Sequence, residues 1–176
     1  MKIKESVIGN KVILRPLQKE DGEFFARWYN EPEVMFECGF NKPTTIEAEQ
    51  DRILRPEDAD EEWWAITDLS GKIIGETGFL RMWNHWHCTD MSIIIPDPQH
   101  QGKGFGSEAG RLMLNRAFDY YSMNRVSIGV VALNVAAVKF WSKIGFKQEG
   151  IQEQGYYHNG EFSDFIMMRV LKSEYS

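Results

Sequence analysis

The chain has 176 residues, 20 Lys and Arg against 26 Asp and Glu, and a formal charge of -6. That length is usual for one domain, roughly 100–200 residues, and a domain of this size buries roughly 70% of its unfolded surface, so it needs no disulfide or metal to fold. With 43% hydrophobic and 26% charged residues the chain is not a disordered one; its acidic balance argues against non-specific nucleic-acid binding, which needs a basic surface, and weakly favours a cationic partner.

Met1-Lys2-Ile3-Lys4-Glu5 lacks the apolar region of a signal peptide. No run of about 18 apolar residues follows. The expectation is therefore one cytosolic domain over residues 1–176, with Cys38 and Cys88 as reduced thiols. Val12-Ile13-Leu14-Arg15 predicts a short strand, ended by Pro16. After Asp21, the residues Phe24, Phe25, Trp28 and Tyr29 are spaced for one helical face. Pro32 stops that helix, and Glu33 to Phe36 begins a second. Thr45 to Leu54 predicts a third, with Thr44 and Glu47 forming a better capping box than Thr45 and Ala48. The acidic run from Pro56 to Glu62 reads as a solvated loop, or as a guard for a cationic substrate.

Trp63 to Thr67, the turn Asp68-Leu69-Ser70-Gly71 and Ile73 to Arg81 predict a hairpin, with His87 to Ile95 as its next antiparallel neighbour. His85, His87 and Cys88 cluster at the start of that neighbour. A fourth ligand at metal spacing is missing, so a polar turn is the reading and no metal is expected. Ser107 to Tyr121 predicts a long helix. Val126 to Leu133 is a β-branched strand, and Asn134 to Ile144 a helix closed by Gly145. Lys147 to Glu149 and Phe162 to Leu171 close the fold, with Asn159-Gly160 as a hairpin turn between them. The pattern predicts an α+β domain: a mixed, mainly antiparallel sheet with helices on both faces.

Chemistry concentrates in Ile93-Ile94-Ile95 and the loop Gln101-Gly102-Lys103-Gly104-Phe105-Gly106-Ser107. A strand leads through alternating glycines into a helix N-terminus. Such a loop curls its N–H groups inward, and the helix end adds roughly half a positive charge, which suits phosphate or diphosphate. The P-loop pattern fails because Lys103 lies between glycines, and the dinucleotide fingerprint fails on spacing. The pattern present is Q-x-x-G-x-G, from Gln101 to Gly106. A tight strand–helix turn without a ligand is the competing reading.

The segment Asn134-Val135-Ala136-Ala137-Val138-Lys139-Phe140-Trp141-Ser142-Lys143-Ile144-Gly145-Phe146 opens with Asn at a strand–helix junction and ends in Gly-Phe. With the glycine loop before it, the chain resembles the GNAT superfamily of acyl-CoA-dependent N-acetyltransferases. Leu14-Arg15-Pro16-Leu17 with Asp21, and Glu149-Gly150 followed by Tyr157 to Asp164, resemble the subgroup of ribosomal-protein N-terminal (Rim type) and spermidine acetyltransferases. The resemblance covers nearly the whole chain. It implies a sheet splayed at its centre and acetyl-CoA as co-substrate. It also implies an amine acceptor (small amine, polyamine or protein N-terminus) attacked directly, and a homodimer in many members.

The resemblance also implies roles. Backbone groups of Ile93, Ile94 and Ile95 would pair with the pantetheine arm. The amides of Gly102, Lys103, Gly104, Phe105, Gly106 and Ser107 would hold the pyrophosphate, and Gln101 would shape the loop. Asn134 would meet pantetheine or a bound water, with Trp141 and Lys143 also on the cofactor side. Asp90 stands where the subgroup often carries Glu: it is either the base that deprotonates the amine or a strand Asp paired with Lys or Arg. Glu76 and Glu37 are further candidates. The Ile93 or Ile94 N–H would stabilise the oxyanion. The family commonly has Tyr at the Trp141 position, as general acid; an indole is no acid. The acid is therefore unassigned, with Ser142, Tyr156 and Tyr157 as donors in reach of the pattern. For the acceptor, Tyr29, Glu37, Trp83 and Trp86 supply aromatic faces and a carboxylate. The Trp141 departure keeps one alternative open, a non-catalytic acyl-CoA-binding sensor.

Overall fold

The computed structural model describes residues 4–176, so the reading of Met1 to Ile3 lies outside it. The order is β1 (Val7–Ile8), β2 (Val12–Arg15), α1 (Asp21–Trp28), α2 (Pro32–Cys38), α3 (Ile46–Leu54), β3 (Glu62–Asp68), β4 (Ile73–Trp83), β5 (Cys88–Ile94), α4 (Phe105–Asn115), β6 (Arg125–Val131), α5 (Val135–Lys143), β7 (Lys147–His158) and β8 (Glu161–Leu171). The strands make one eight-stranded sheet ordered β1-β2-β3-β4-β5-β6-β8-β7. Every neighbouring pair is antiparallel except β5 with β6.

That parallel pair is short. Cys88, Thr89 and Asp90 face Arg125, Val126 and Ser127, and then the strands part. β5 continues along β4 until Ile94 faces Glu76; β6 continues along β8 until Val131 faces Phe165. This is the splayed centre. On one face, Met113 and Leu114 of α4, Trp141 of α5 and Ile144 just after it pack on Leu14, Ile66, Val126 and Met168. On the other, Phe25, Tyr29 and Val34 of α1 and α2 pack with Ile73 and Ile94. Each fully buried apolar side chain contributes roughly 1.5–3 kcal/mol, so both helical layers are held to the sheet by apolar burial.

Four local readings need correction. Thr45, not Thr44, caps α3: its hydroxyl accepts the Ala48 N–H at 3.1 Å, while Thr44 donates to Glu49 at 2.7 Å. The long helix begins two residues before Ser107 and ends in a five-residue π-helical turn, Arg116–Tyr120. That wider turn brings Arg116 and Tyr121 together onto Glu62, at 2.6–2.9 Å. The acidic run is therefore not simply solvated: Glu62 is buried, Glu61 bonds Arg55 at 2.8 Å, and Glu57 pairs with Lys4. β7 spans twelve residues rather than three. It is mostly exposed and bulged at two places, so no apolar alternation marks it beyond Glu149. Among the described residues, no helix is long and apolar enough to cross a membrane, and no group of three His, Cys, Asp or Glu stands ready to hold a metal.

The N-terminal turn is bolted to α4. The Glu108 carboxylate accepts the backbone N–H groups of Asn10 at 2.9 Å, Lys11 at 2.6 Å and Val12 at 2.8 Å. Partial burial opposes ionisation, but the three amides together hold the carboxyl below its ordinary 4.5. Glu108→Ala is expected to cost about 1–3 kcal/mol in urea unfolding at pH 7, the usual worth of hydrogen bonds to a charged group. The depressed value makes this contribution present above about pH 4.5 and lost as pH falls through the folded value. The gap between wild type and variant should therefore close in acid.

Candidate active site

Beyond β5 the chain passes Pro96 and one short 3₁₀ turn, Pro98–His100, into the glycine loop. Gly102 and Gly104 have φ of 70° and 87°, a left-handed backbone that side chains disfavour. Gly104 precedes α4, and the helix has no side-chain cap. The first amides, of Phe105, Gly106 and Ser107, have no partner within the helix and share its positive end. Gln101 ties the loop back to the sheet, donating to the Ile95 carbonyl at 3.0 Å. Lys103 is exposed. Its carbonyl accepts the Lys11 ammonium at 3.0 Å, so a second lysine stands at the loop from the β1–β2 turn. No spacing in the sequence announces Lys11. Uncapped amides, two left-handed glycines and two lysines fit the diphosphate of CoA.

The open edge of β5 lies next to this loop. The Ser92 carbonyl accepts the Thr77 hydroxyl at 2.7 Å, and the Ile94 carbonyl lies where a Cβ on Gly75 would come within 2.1 Å of it. Both carbonyls thus face β4. Backbone groups alternate in direction along a strand, so Ile93 turns its N–H and C=O to the edge that β6 has left. Gly75 is glycine because that close approach admits no side chain.

A cleft of about 450 Å³ opens on the α1–α2 face, lined by Ser92 and Ile94 of β5, Glu76 and Leu80 of β4, Trp63 of β3, Tyr29, and residues of α2, α3 and the loop between them. At its floor is a chain of polar groups. Glu76 is 3% exposed; it accepts the Tyr29 hydroxyl and Arg52 Nη1 at 3.1 Å. Arg52 Nε also holds Glu49, at 2.8 Å. Arg52 Nη2 is buried and has no hydrogen-bond partner among the described residues. Burial pushes the Glu76 carboxyl above its ordinary value, and Arg52 and Tyr29 offset this only partly. Burial, then Glu76, drives the Tyr29 phenol well above 10. Cys38 also lines the cleft, and burial pushes its thiol up to about 12.

The structure sorts the other residues read from the sequence. Asp90 is the last β5 residue paired with β6. Its carboxylate bonds Arg81 at 2.7 Å, and it is not among the residues lining the cleft. Glu37 is exposed on α2 and lies outside the lining, as do Trp83 and Trp86 at the exposed β4–β5 turn. Arg81 stacks over Trp83. Tyr29 is brought to the cleft, from the core. Asn134 caps α5: its side-chain oxygen accepts the Ala137 N–H at 3.0 Å. Trp141 is 7% exposed and packs edge-on against Phe140 and Phe146, within the core. Lys143 is exposed in the last turn of α5. Phe140 of α5 reaches the loop, within 3.2 Å of where a Cβ on Gly106 would be. Of the other donors, Ser142 bonds Val138 O at 2.9 Å, Tyr156 bonds Phe36 O at 2.7 Å, and Tyr157 is exposed. Sequence reasoning missed four charged residues here, Lys11, Lys42, Glu49 and Arg52.

The family model described as an acetyltransferase (GNAT) domain matches residues 11–147. The spermidine N(1)-acetyltransferase of Vibrio cholerae serotype O1 is 27% identical over 175 residues, covering 96% of this chain and 97% of its own. That of Escherichia coli K12 is 26% identical over 167 residues, covering 94% and 89%. The crystal structure of spermidine N-acetyltransferase from Vibrio cholerae in complex with CoA and spermine superposes with a TM-score of 0.87 at 23% identity, over 95% of this chain and 99% of that one. A family match over most of the chain, on a sheet parted beside an uncapped glycine loop, leads to one conclusion: the chain belongs to the GNAT acetyltransferases, enzymes that move an acetyl group from acetyl-CoA to an amine.

Proposed function

We propose that the protein acetylates a primary amine by direct attack, with Glu76 as the base and the Ile93 N–H as donor to the acyl oxygen. The observation that carries this reading is a buried, charge-perturbed carboxylate in a cleft bordered by β5, the strand whose far edge is open. Acetyl-CoA bound along that edge supplies the activated acyl carbon. The amides of Gly102 to Ser107 hold its diphosphate, with Gln101, Lys103 and Lys11 shaping and charging the loop, and Ile93 to Ile95 flank the pantetheine. A free alkyl amine near pKa ~10.4 is mostly protonated at neutral pH, so the cleft must take up a proton. Glu76, which lines the cleft, does so in its carboxylate form. The Ile93 N–H steadies the negative charge that develops on the acyl oxygen. A free thiol has a pKa of ~8.5, so CoA leaves as thiolate without a dedicated acid, in keeping with Trp141 as core. Cys38, near 12, is too weakly ionised at neutral pH to carry an acyl group first, which favours a single direct transfer.

A single domain over residues 1–176, working in the cytosol, is part of the same reading, supported by two free thiols and the acidic balance. That balance also disfavours nucleic acid as a partner. The long exposed β7 edge leaves room for a homodimer.

Glu76→Gln is expected to lower kcat by about 10²–10⁴, the range for lost acid–base catalysis, with the Kd for CoA unchanged by calorimetry. The base acts only when ionised, and its carboxyl titrates above 4.5. kcat/KM should therefore fall as pH drops through that raised value, and this limb should persist in Asp90→Asn. Wild-type kcat in Glu76→Gln, with a collapse in Asp90→Asn, would move the role to Asp90. Lys11→Met should weaken CoA binding about fivefold, the equivalent of ~1 kcal/mol for an exposed charge contact, and the loss should shrink as salt is added.

A further inference from the structure

Resting on that acetyltransferase reading, we propose that the acceptor is an α-amino acid with an apolar side chain, held by its carboxylate at Arg52 and Lys42. The charges of the cleft argue for it first. Glu49, Glu76, Arg52 and Lys42 are its ionic lining residues, and their formal charges cancel. Both carboxylates are already engaged by Arg52. A polyamine brings further ammonium groups after its reacting amine has given up a proton. Each would need a carboxylate as it leaves water, and here each would meet Arg52 or Lys42 instead.

Arg52 and Lys42 are the cations of the cleft. Arg52 Nη2 is buried and without a hydrogen-bond partner, and Lys42 has no ion pair, among the described residues. A buried guanidinium N–H is rarely left without an acceptor. A carboxylate is the acceptor that a guanidinium and an ammonium share. It must also sit beside an amine: Arg52 Nη1 lies 3.1 Å from Glu76 Oε2, so the site's cation and its base are neighbours. An α-amino acid carries its amine and carboxylate on one carbon, the complementary arrangement. The remaining walls are mostly apolar, with Asn41, Thr44 and Ser92 as their polar groups. Phe40, Trp63 and Leu80 line the cleft, and Leu80 is 41% exposed, an apolar surface that an aliphatic or aromatic side chain would cover.

The transfer balances. The neutral α-nitrogen attacks the acetyl carbonyl carbon, a C–N bond forms and the C–S bond breaks. Sulfur keeps the bonding pair as CoA thiolate. The nitrogen's spare proton passes through Glu76 to solvent or to the thiolate. The products are an N-acetyl amino acid and CoA.

The test is thiol release from acetyl-CoA by the full chain with L-phenylalanine, L-leucine, phenethylamine and spermidine. Phenethylamine is phenylalanine without its carboxylate. We expect kcat/KM for one of the two amino acids to exceed that for phenethylamine and for spermidine at least tenfold. Lys42→Met, at an exposed position that leaves the floor of the cleft intact, should raise KM for the amino acid severalfold and leave the KM for phenethylamine unchanged. Spermidine or phenethylamine turned over as well as the amino acids, or a Lys42→Met effect equal on both, would overturn this assignment and leave the acetyltransferase standing. CoA binding with no thiol release from any acceptor would overturn both.

Discussion

Three residue pairs hold β5 to β6, and the molecule's chemistry depends on there being no fourth. Past Asp90 and Ser127 the two strands go to different partners, β4 on one side and β8 on the other. An open strand edge leaves peptide groups in want of partners, and a buried one unsatisfied costs about 1–3 kcal/mol. An extended chain with its own amides, laid along the edge, satisfies them. The parting is held by packing. Gly110 of α4 lies so close under β5 that a Cβ there would come within 3.2 Å of Ile93 Cδ1 and 2.8 Å of Ile144 Cδ1. α4 and α5 thus meet beneath the gap, and the glycine loop is delivered to its end.

The other face holds a line of polar groups, Thr44–Glu49–Arg52–Glu76–Tyr29, joining α1, α3 and β4. Such a buried line is a weak source of stability, since desolvation offsets most of the attraction. Its value lies in orientation. With one guanidinium between two carboxylates, Glu76 cannot turn away from the cleft without breaking Arg52's bridge. Burial leaves Glu76 less acidic than a free carboxyl while Arg52 and Tyr29 keep it partnered, which suits the base proposed above.

Much of the architecture was legible in the chain. The period of Phe24, Phe25, Trp28 and Tyr29 gives α1, the Asn159-Gly160 turn gives the last hairpin, and the alternating glycines give the loop before α4. These signals are local: each is written within a few residues. What escaped is non-local. Arg52 and Glu76 are 24 residues apart and Tyr29 lies 47 before Glu76, so nothing near Glu76 distinguishes it from any strand carboxylate. Asp90 looked favourable by position, but its partner Arg81 comes from across a bulge. Trp141 occupies a position with a family role, yet its ring is spent on the core with Phe146. The extent of β7 was hidden because an exposed, bulged edge strand needs no apolar alternation.

Glu108 sits in the first turn of α4, the helix whose N-terminus holds the diphosphate in the reading proposed above. A bare carboxylate there would repel it. Its negative charge is instead shared among three amides of the β1–β2 turn, and the same turn sends the Lys11 ammonium to the loop. The β1–β2 edge of the sheet therefore acts as an electrostatic shield for the proposed diphosphate site. Fraying of that edge would unmask one charge and withdraw the other in a single motion. The grip on the cofactor is thus set in part by how firmly a two-residue edge strand and its turn stay in place.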